Sequence, residues 1–430
     1  MLATSTLIFV RAFFAAGYLC FITCPQAMSL LDSIVKAVAA ADDGELFPVS
    51  KVPIILNSDD IFPKLKPDSE STAAGPPIRR LSGWSISQTD SDIIESTSKF
   101  LKTLKKKLKK PQSLNRADFL QLLNSFLLTN SEKLGLELGY EPSNCADVDS
   151  VRSAIEKAGF LICQEVAVLV VHGCLVLELW EILEDLIFHR LVSHLYSSNL
   201  IEKLVDRNQA RLLCLCVKHI DDLRPSVLLS VLSFFLSPSF DAYNSMLEVK
   251  KQWEKQALIA VEKATKKGIP QKASALAREA SILLMLAHDD FSASESCLHH
   301  LFGNPNIDWL VFSSAISRLN GNEILALIRY LGKWLKKYER FPEAGPCLNA
   351  KSVLGLSACE NVPSFDSVLA ALGLTLDEHF SYLVLNSEFH DELRAMQEVV
   401  NALASEADAS CALDGIVKHL QNRLNKCGRQ

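Results

Sequence analysis

The chain has 430 residues, 49% hydrophobic and 22% charged, with 16 prolines and 17 glycines. That balance excludes global disorder, and the scarcity of chain-breaking residues disfavours a many-turned β fold. A formal net charge of −6 excludes a whole-molecule electrostatic drive toward nucleic acid, so any such contact must come from a local patch.

Residues 1–27 form an apolar N-terminal extension ending near Cys24-Pro25-Gln26-Ala27. It lacks the basic start of a signal peptide and is too short for an ordinary membrane span. Two readings stand: a targeting or anchoring segment, or a mis-started extension with Met28 as the true start. Residues 28–98 read as a short helix at 29–41 and then a flexible linker rich in Ser, Thr, Asp and Pro, so a disordered N-terminal region is expected.

Residues 99–111 are a lysine-rich segment ended by Pro111. Leu101, Leu104 and Leu108 recur at i, i+3 and i+7, so a helix here has one leucine seam and an otherwise cationic surface. Lys102, Lys105, Lys106, Lys107, Lys109 and Lys110 supply that charge. Their density suits nuclear import or the neighbourhood of an RNA backbone, against the plainer reading of a solvated face.

Residues 112–430 read as one helical array. Apolar periodicity predicts helices at 117–128 and 151–158, then a buried core pair within 160–194, whose polar residues would be costly in lipid. Further helices are expected at 208–219, 225–236, 245–267, 272–288, 292–302, 309–319, 322–338, 364–372, 378–385, 390–405 and 413–425. Short connections make successive helices antiparallel, giving an all-α, irregular, α-solenoid-like stack with no fixed sequence period.

Catalytic signatures are missing: there is no phosphate-binding glycine loop, nucleophile elbow or His-Glu-x-x-His. Cys214-x-Cys216-x-x-His219 and Cys297-x-His299-His300 lack the paired knuckles of structural zinc and read as buried thiols and ordinary histidines. The acidic pairs Asp221-Asp222 and Asp289-Asp290 fall at helix ends, where capping or solvation explains them. Trp180, Trp253, Trp309 and Trp334 sit among aliphatics at helical spacing, as core or interface anchors. The expectation is a non-enzyme without cofactor, metal or small-molecule substrate. Cysteines within apolar runs, such as Cys163 and Cys174, together with the lack of Asn-x-Ser/Thr, favour a reducing compartment.

Two stretches go beyond generic helix. One is Arg211-Leu212-Leu213-Cys214-Leu215-Cys216-Val217-Lys218-His219-Ile220-Asp221-Asp222-Leu223-Arg224-Pro225-Ser226-Val227. The other is Leu372-Gly373-Leu374-Thr375-Leu376-Asp377-Glu378-His379-Phe380-Ser381-Tyr382-Leu383-Val384-Leu385. Both resemble the C-terminal helical half of the nucleolar protein eleven family, a U3 small-nucleolar-RNA-associated subunit of the Utp-A, transcription-coupled subcomplex. The helix at 324–338 has the order and spacing of a helix in that family, and the similarity covers about 208–400.

The resemblance implies a nucleolar scaffold in the small-subunit processome, supporting pre-rRNA transcription and 18S maturation. Its partners would be other protein subunits, with indirect contact to pre-rRNA or U3 RNA. Leu212, Leu213, Leu215, Trp334, Leu376, Phe380 and Leu383 would form the family-like core or interface. This chain departs from the family in showing no strand series of an N-terminal β-propeller, so propeller contacts do not carry over. The alternative is an organellar or membrane-tethered helical adaptor addressed by residues 1–27; apart from that alternative no membrane partner is expected.

Overall fold

The structure, a computed structural model, describes residues 88–109, 114–136, 147–266, 270–342, 344–345, 347 and 349–427. The expected extension at 1–27, the helix at 29–41 and the linker up to 87 lie outside the described residues, as do Lys110 and Pro111. The described residues are all-α, with no strand.

In chain order the helices are α1 (Gln88–Leu108), α2 (Arg116–Lys133), α3 (Val148–Ala158), α4 (Gln164–Leu177), α5 (Trp180–Phe188), α6 (His194–Asp206), α7 (Ala210–His219) and α8 (Pro225–Leu236). They continue as α9 (Phe240–Thr265), α10 (Gln271–His288), α11 (Ala293–Phe302), α12 (Trp309–Ile316), α13 (Gly321–Arg340), α14 (Ala350–Leu354), α15 (Phe365–Glu378), α16 (Phe380–Leu385) and α17 (His390–Cys427).

Several boundaries differ from the sequence reading: α9 starts earlier, at Phe240, α15 runs on to Glu378, and α6 and α14 were not expected. α1 starts at Gln88, so the stretch 88–98 is helix rather than linker. Thr97 and Thr103 turn their hydroxyls onto the carbonyls of Ile93 and Lys99 within the helix. The run 160–194 holds two helices and the approach to a third: α6 begins at His194, capped by Ser193, whose hydroxyl accepts from the Leu195 amide. At the C-terminus, the segments 390–405 and 413–425 are one continuous helix, because the intervening Glu, Ala and Asp do not break it.

From α3 onward the helices alternate between two layers. α3 rests on α5 and α5 on α7; in the other layer α4 meets α6, α6 rests on α8, and α8 on α12. Within α3–α8 each helix therefore touches the second one along, and polar bonds repeat that step. Arg152 of α3 makes a bidentate pair with Asp185 of α5 (2.7 and 3.2 Å), and Arg211 of α7 pairs with Glu184 of α5. At the helix ends, Glu178 pairs with Arg207, and Arg190 with Asp221 at 3.3 Å. Gln164 donates to the Ser193 hydroxyl at 2.7 Å. These bonds join residues 27 to 33 apart, a structural repeat of helix pairs that the side chains do not spell out as a motif.

The turns that permit this carry no glycine. Glu178, Arg190 and Asn208 each adopt a left-handed backbone at φ 54 to 56° just past a helix end. The following amide in each case reaches back to the helix, Leu179 to Cys174, Leu191 to Leu186 and Gln209 to Leu204, all at 2.9 Å. Where helices press together, small residues are needed: the ring of Phe119 in α2 fills the notch at Gly173 in α4, and a Cβ there would sit 2.4 Å from it.

The later helices close the stack differently. α9 and α10 form a long hairpin lying on α11, while α13 packs on α15 and on the first turns of α17. Its apolar stripe of Ile324, Leu327, Ile328, Leu331, Trp334, Leu335 and Tyr338 is buried, and Asn320 and Glu323 close a reciprocal capping box at its start. No described helix is long and apolar enough alone to cross a membrane; α8 and α9 together reach that length and apolarity, bent by 88°.

Candidate functional site

The lysine-rich segment is helical and oriented. Phe100 stacks on Phe126 of α2 with ring centroids 4.4 Å apart, and Leu104 is completely buried. Leu101 and Leu108 pack beside them, as the leucine seam predicts. Lys133 of α2 adds a hydrogen bond to the Asp92 carbonyl at 3.1 Å. With that face held down, Lys102, Lys105, Lys106 and Lys109 share the opposite, exposed face at i, i+3, i+4 and i+7, and Lys107 is half-buried beside them. Lys99 is neutralised by Glu95 at 2.7 Å, but none of the five following lysines forms an ion pair among the described residues. Lys105, Lys106 and Lys107 occupy the last turn, where the helix dipole favours cations. Such a row can meet a polyanion without first breaking internal pairs.

The residues tied to the family resemblance are placed in the core. Leu212, Leu213, Trp334, Leu376 and Leu383 are buried, and Leu215 and Phe380 pack half-buried against them. They hold helices together rather than present a surface. The loop of the first stretch, Ile220 to Pro225, lines a groove of about 300 Å³ with Asn304, Ile307, Asp308 and Val311.

The acidic pairs play roles other than N-capping. Asp221 pairs with Arg190, Asp222 and Asp290 take left-handed backbone at φ 56° and 62°, and Asp289 follows the end of α10. α11 is instead capped by Ser292 with Glu295.

The cysteine and histidine clusters are structural. The free thiols of Cys214 in α7 and Cys297 in α11 are neighbours, both buried, and burial pushes the Cys214 thiol well up. His299 is fully buried, its Nδ1 2.9 Å from the Tyr330 hydroxyl and its Nε2 2.9 Å from the Ala287 carbonyl. The carbonyl can only accept, so Nε2 carries the proton and Nδ1 accepts from Tyr330. The rings of Trp253, Phe291 and Trp334 enclose it. Burial lowers its pKa to about 3, which keeps the ring neutral. Among the described residues no three His, Cys, Asp or Glu side chains converge as a metal site requires.

A second surface had no signal in the sequence, because it joins α10 to α13. Ile282, Met285 and Phe341 stand about half exposed along a groove of about 560 Å³, edged by Lys336 and Arg340. Lys333 is bound to Glu295 at 2.8 Å, and Lys337 approaches Asp290 at 3.7 Å. Such an apolar strip with a cationic edge suits an interaction surface.

Compared with known proteins, the chain matches no protein family, no curated protein and no solved structure.

Proposed function

We propose that the chain is a non-enzymatic helical scaffold of ribosome biogenesis, acting in the nucleolus as part of a small-subunit processome subcomplex. Its partners in this reading are protein subunits of that complex, with pre-rRNA or U3 RNA close by. The observation that carries it is the row Lys102, Lys105, Lys106 and Lys109, held outward by a buried leucine seam and left without ion-pair partners among the described residues. An ordered cationic stripe on a chain of net charge −6 fits a nuclear address or a nucleic-acid neighbour. The resemblance of 208–400 to the nucleolar protein eleven family supplies the compartment and complex. The buried histidines and thiols, engaged within the core, fit a scaffold better than a catalyst.

The test is affinity purification of the tagged full chain with mass spectrometry and RNA detection, beside imaging of its location. The reading expects Utp-A subunits and U3 RNA to co-purify. It expects nucleolar signal to fall when Lys105, Lys106, Lys107, Lys109 and Lys110 are replaced by alanine. A wholly cytoplasmic or secreted protein, or one bringing down no Utp-A subunit, overturns it.

A further inference from the structure

The second half of α1 carries charge of one kind only. Between Ser96 and Lys109 there are six lysines and no Asp, Glu, Arg or His. The acids of the helix, Asp90, Asp92 and Glu95, all lie in its first half, and Glu95 is bound by Lys99. Lys102, Lys105, Lys106 and Lys109 therefore form an exposed stripe about 10 Å long, into which α1 itself places no carboxylate.

What the stripe lacks selects its partner. The one aromatic of α1, Phe100, is buried against Phe126. Single strands are held by stacking on open aromatic rings, and α1 offers none. Between Ser96 and Lys109 there is also no Arg, Asn or Gln to fork onto a base edge, while lysine meets phosphate as a point charge. A helix lying on a membrane inserts its apolar face, but Leu101, Leu104 and Leu108 are packed into the body. A receptor that takes a basic run as an extended peptide would first have to pull Phe100 and Leu104 out of the core. A duplex asks for none of this. It presents regularly spaced phosphates to a rigid cationic stripe, and A-form RNA sets the phosphates of its two strands across a narrow groove.

We propose that the face of α1 bearing Lys102, Lys105, Lys106 and Lys109 binds the phosphate backbone of double-stranded RNA without reading its sequence. The choice of RNA over DNA rests on the ribosome-biogenesis reading above; the choice of a duplex backbone does not.

Fluorescence anisotropy of the purified full chain with a labelled RNA duplex of about 20 base pairs and arbitrary sequence tests this. With about four phosphates neutralised, affinity is expected to fall about a hundredfold between 50 and 200 mM salt. Duplexes of different sequence bind alike, and each Lys→Ala in the stripe lowers the slope of log affinity against log salt by about one. Lys105→Glu with Lys109→Glu abolishes binding at an unchanged melting temperature, and Lys105→Arg with Lys109→Arg keeps it. Lys336→Ala with Arg340→Ala, on the other cationic edge, leaves it unaltered. Absence of binding at 50 mM salt overturns the proposal, as does binding that survives the paired glutamates. Tighter binding to a single strand, to duplex DNA, to phosphatidylserine vesicles or to polyglutamate overturns it as well. Such a failure is distinct from failure of the scaffold reading, which is decided by co-purification of Utp-A subunits.

Discussion

Lys218 at the end of α7 donates to Glu360 at 3.0 Å, closing a bond between residues 142 apart. Lys351 reaches the same oxygen at 3.1 Å. Burial raises the pKa of the Glu360 carboxyl, but the hydrogen bonds from Lys218 and Lys351 outweigh it, and the net shift is downward. Lys218 and Glu360 are partly shielded while Lys351 is exposed, so the Lys218 pairing falls at the upper end of the roughly 0 to 1 kcal/mol usual for surface pairs. A double-mutant cycle of Lys218→Ala and Glu360→Ala, read by urea unfolding, is expected to give a coupling of about 1 kcal/mol. A coupling indistinguishable from zero would show the bond is idle.

Gly303, just past α11, is a site of close backbone approach. A Cβ there would stand 2.3 Å from the Asn361 carbonyl oxygen and 2.9 Å from that of His299. Both neighbours are main chain and cannot rotate aside, so Gly303→Ala is expected to cost about 2–3 kcal/mol. Thermal unfolding of the variant checks it, and an unchanged midpoint would contradict the contact.

The pH dependence follows from His299. In the unfolded chain it titrates near 6.5, while in the fold burial holds it down at about 3. The unfolded state therefore binds the proton first. Stability is fully present above pH 6.5 and declines as pH falls toward 3. Each pH unit in that window costs up to about 1.4 kcal/mol for this group. His300, pushed down by burial likewise, adds to the slope. Denaturant midpoints at pH 7 and 5 should show the loss, and His299→Leu, though less stable at pH 7, should lose less between the two.

The turn at Asp222 gives a backbone test. Its φ of 56° strains a side chain with a Cβ, least for Gly and most for a β-branched residue. Asp222→Gly is expected to be neutral or stabilising by up to about 1 kcal/mol, and Asp222→Val to cost about 1–2 kcal/mol. The reverse order in thermal melts would refute the assignment.

These turns also mark where the sequence was opaque. α8 and α10 were legible because Pro225 and Gly268-Ile269-Pro270 punctuate them. The end of α5 was not, since Arg190 does there what a glycine usually does, and α6 went unread behind it. The leucine seam of α1 was legible from its spacing alone, and the outward row of lysines followed from it. The α10–α13 groove was not, because Met285 and Arg340 meet only through packing between distant segments. The two-layer order was equally hidden, being carried by different pairs at each step: Arg152 with Asp185, Glu178 with Arg207, Arg190 with Asp221.

That order makes length an adjustable property of this molecule. Each helix in α3–α8 is supported by the one two places away, so inserting or deleting two helices and their linkers leaves every remaining helix with a neighbour of the same kind. One such module is about 30 residues, as the bonded separations indicate. A lineage could lengthen or shorten this part of the stack by whole modules without redesigning the helices on either side of the change.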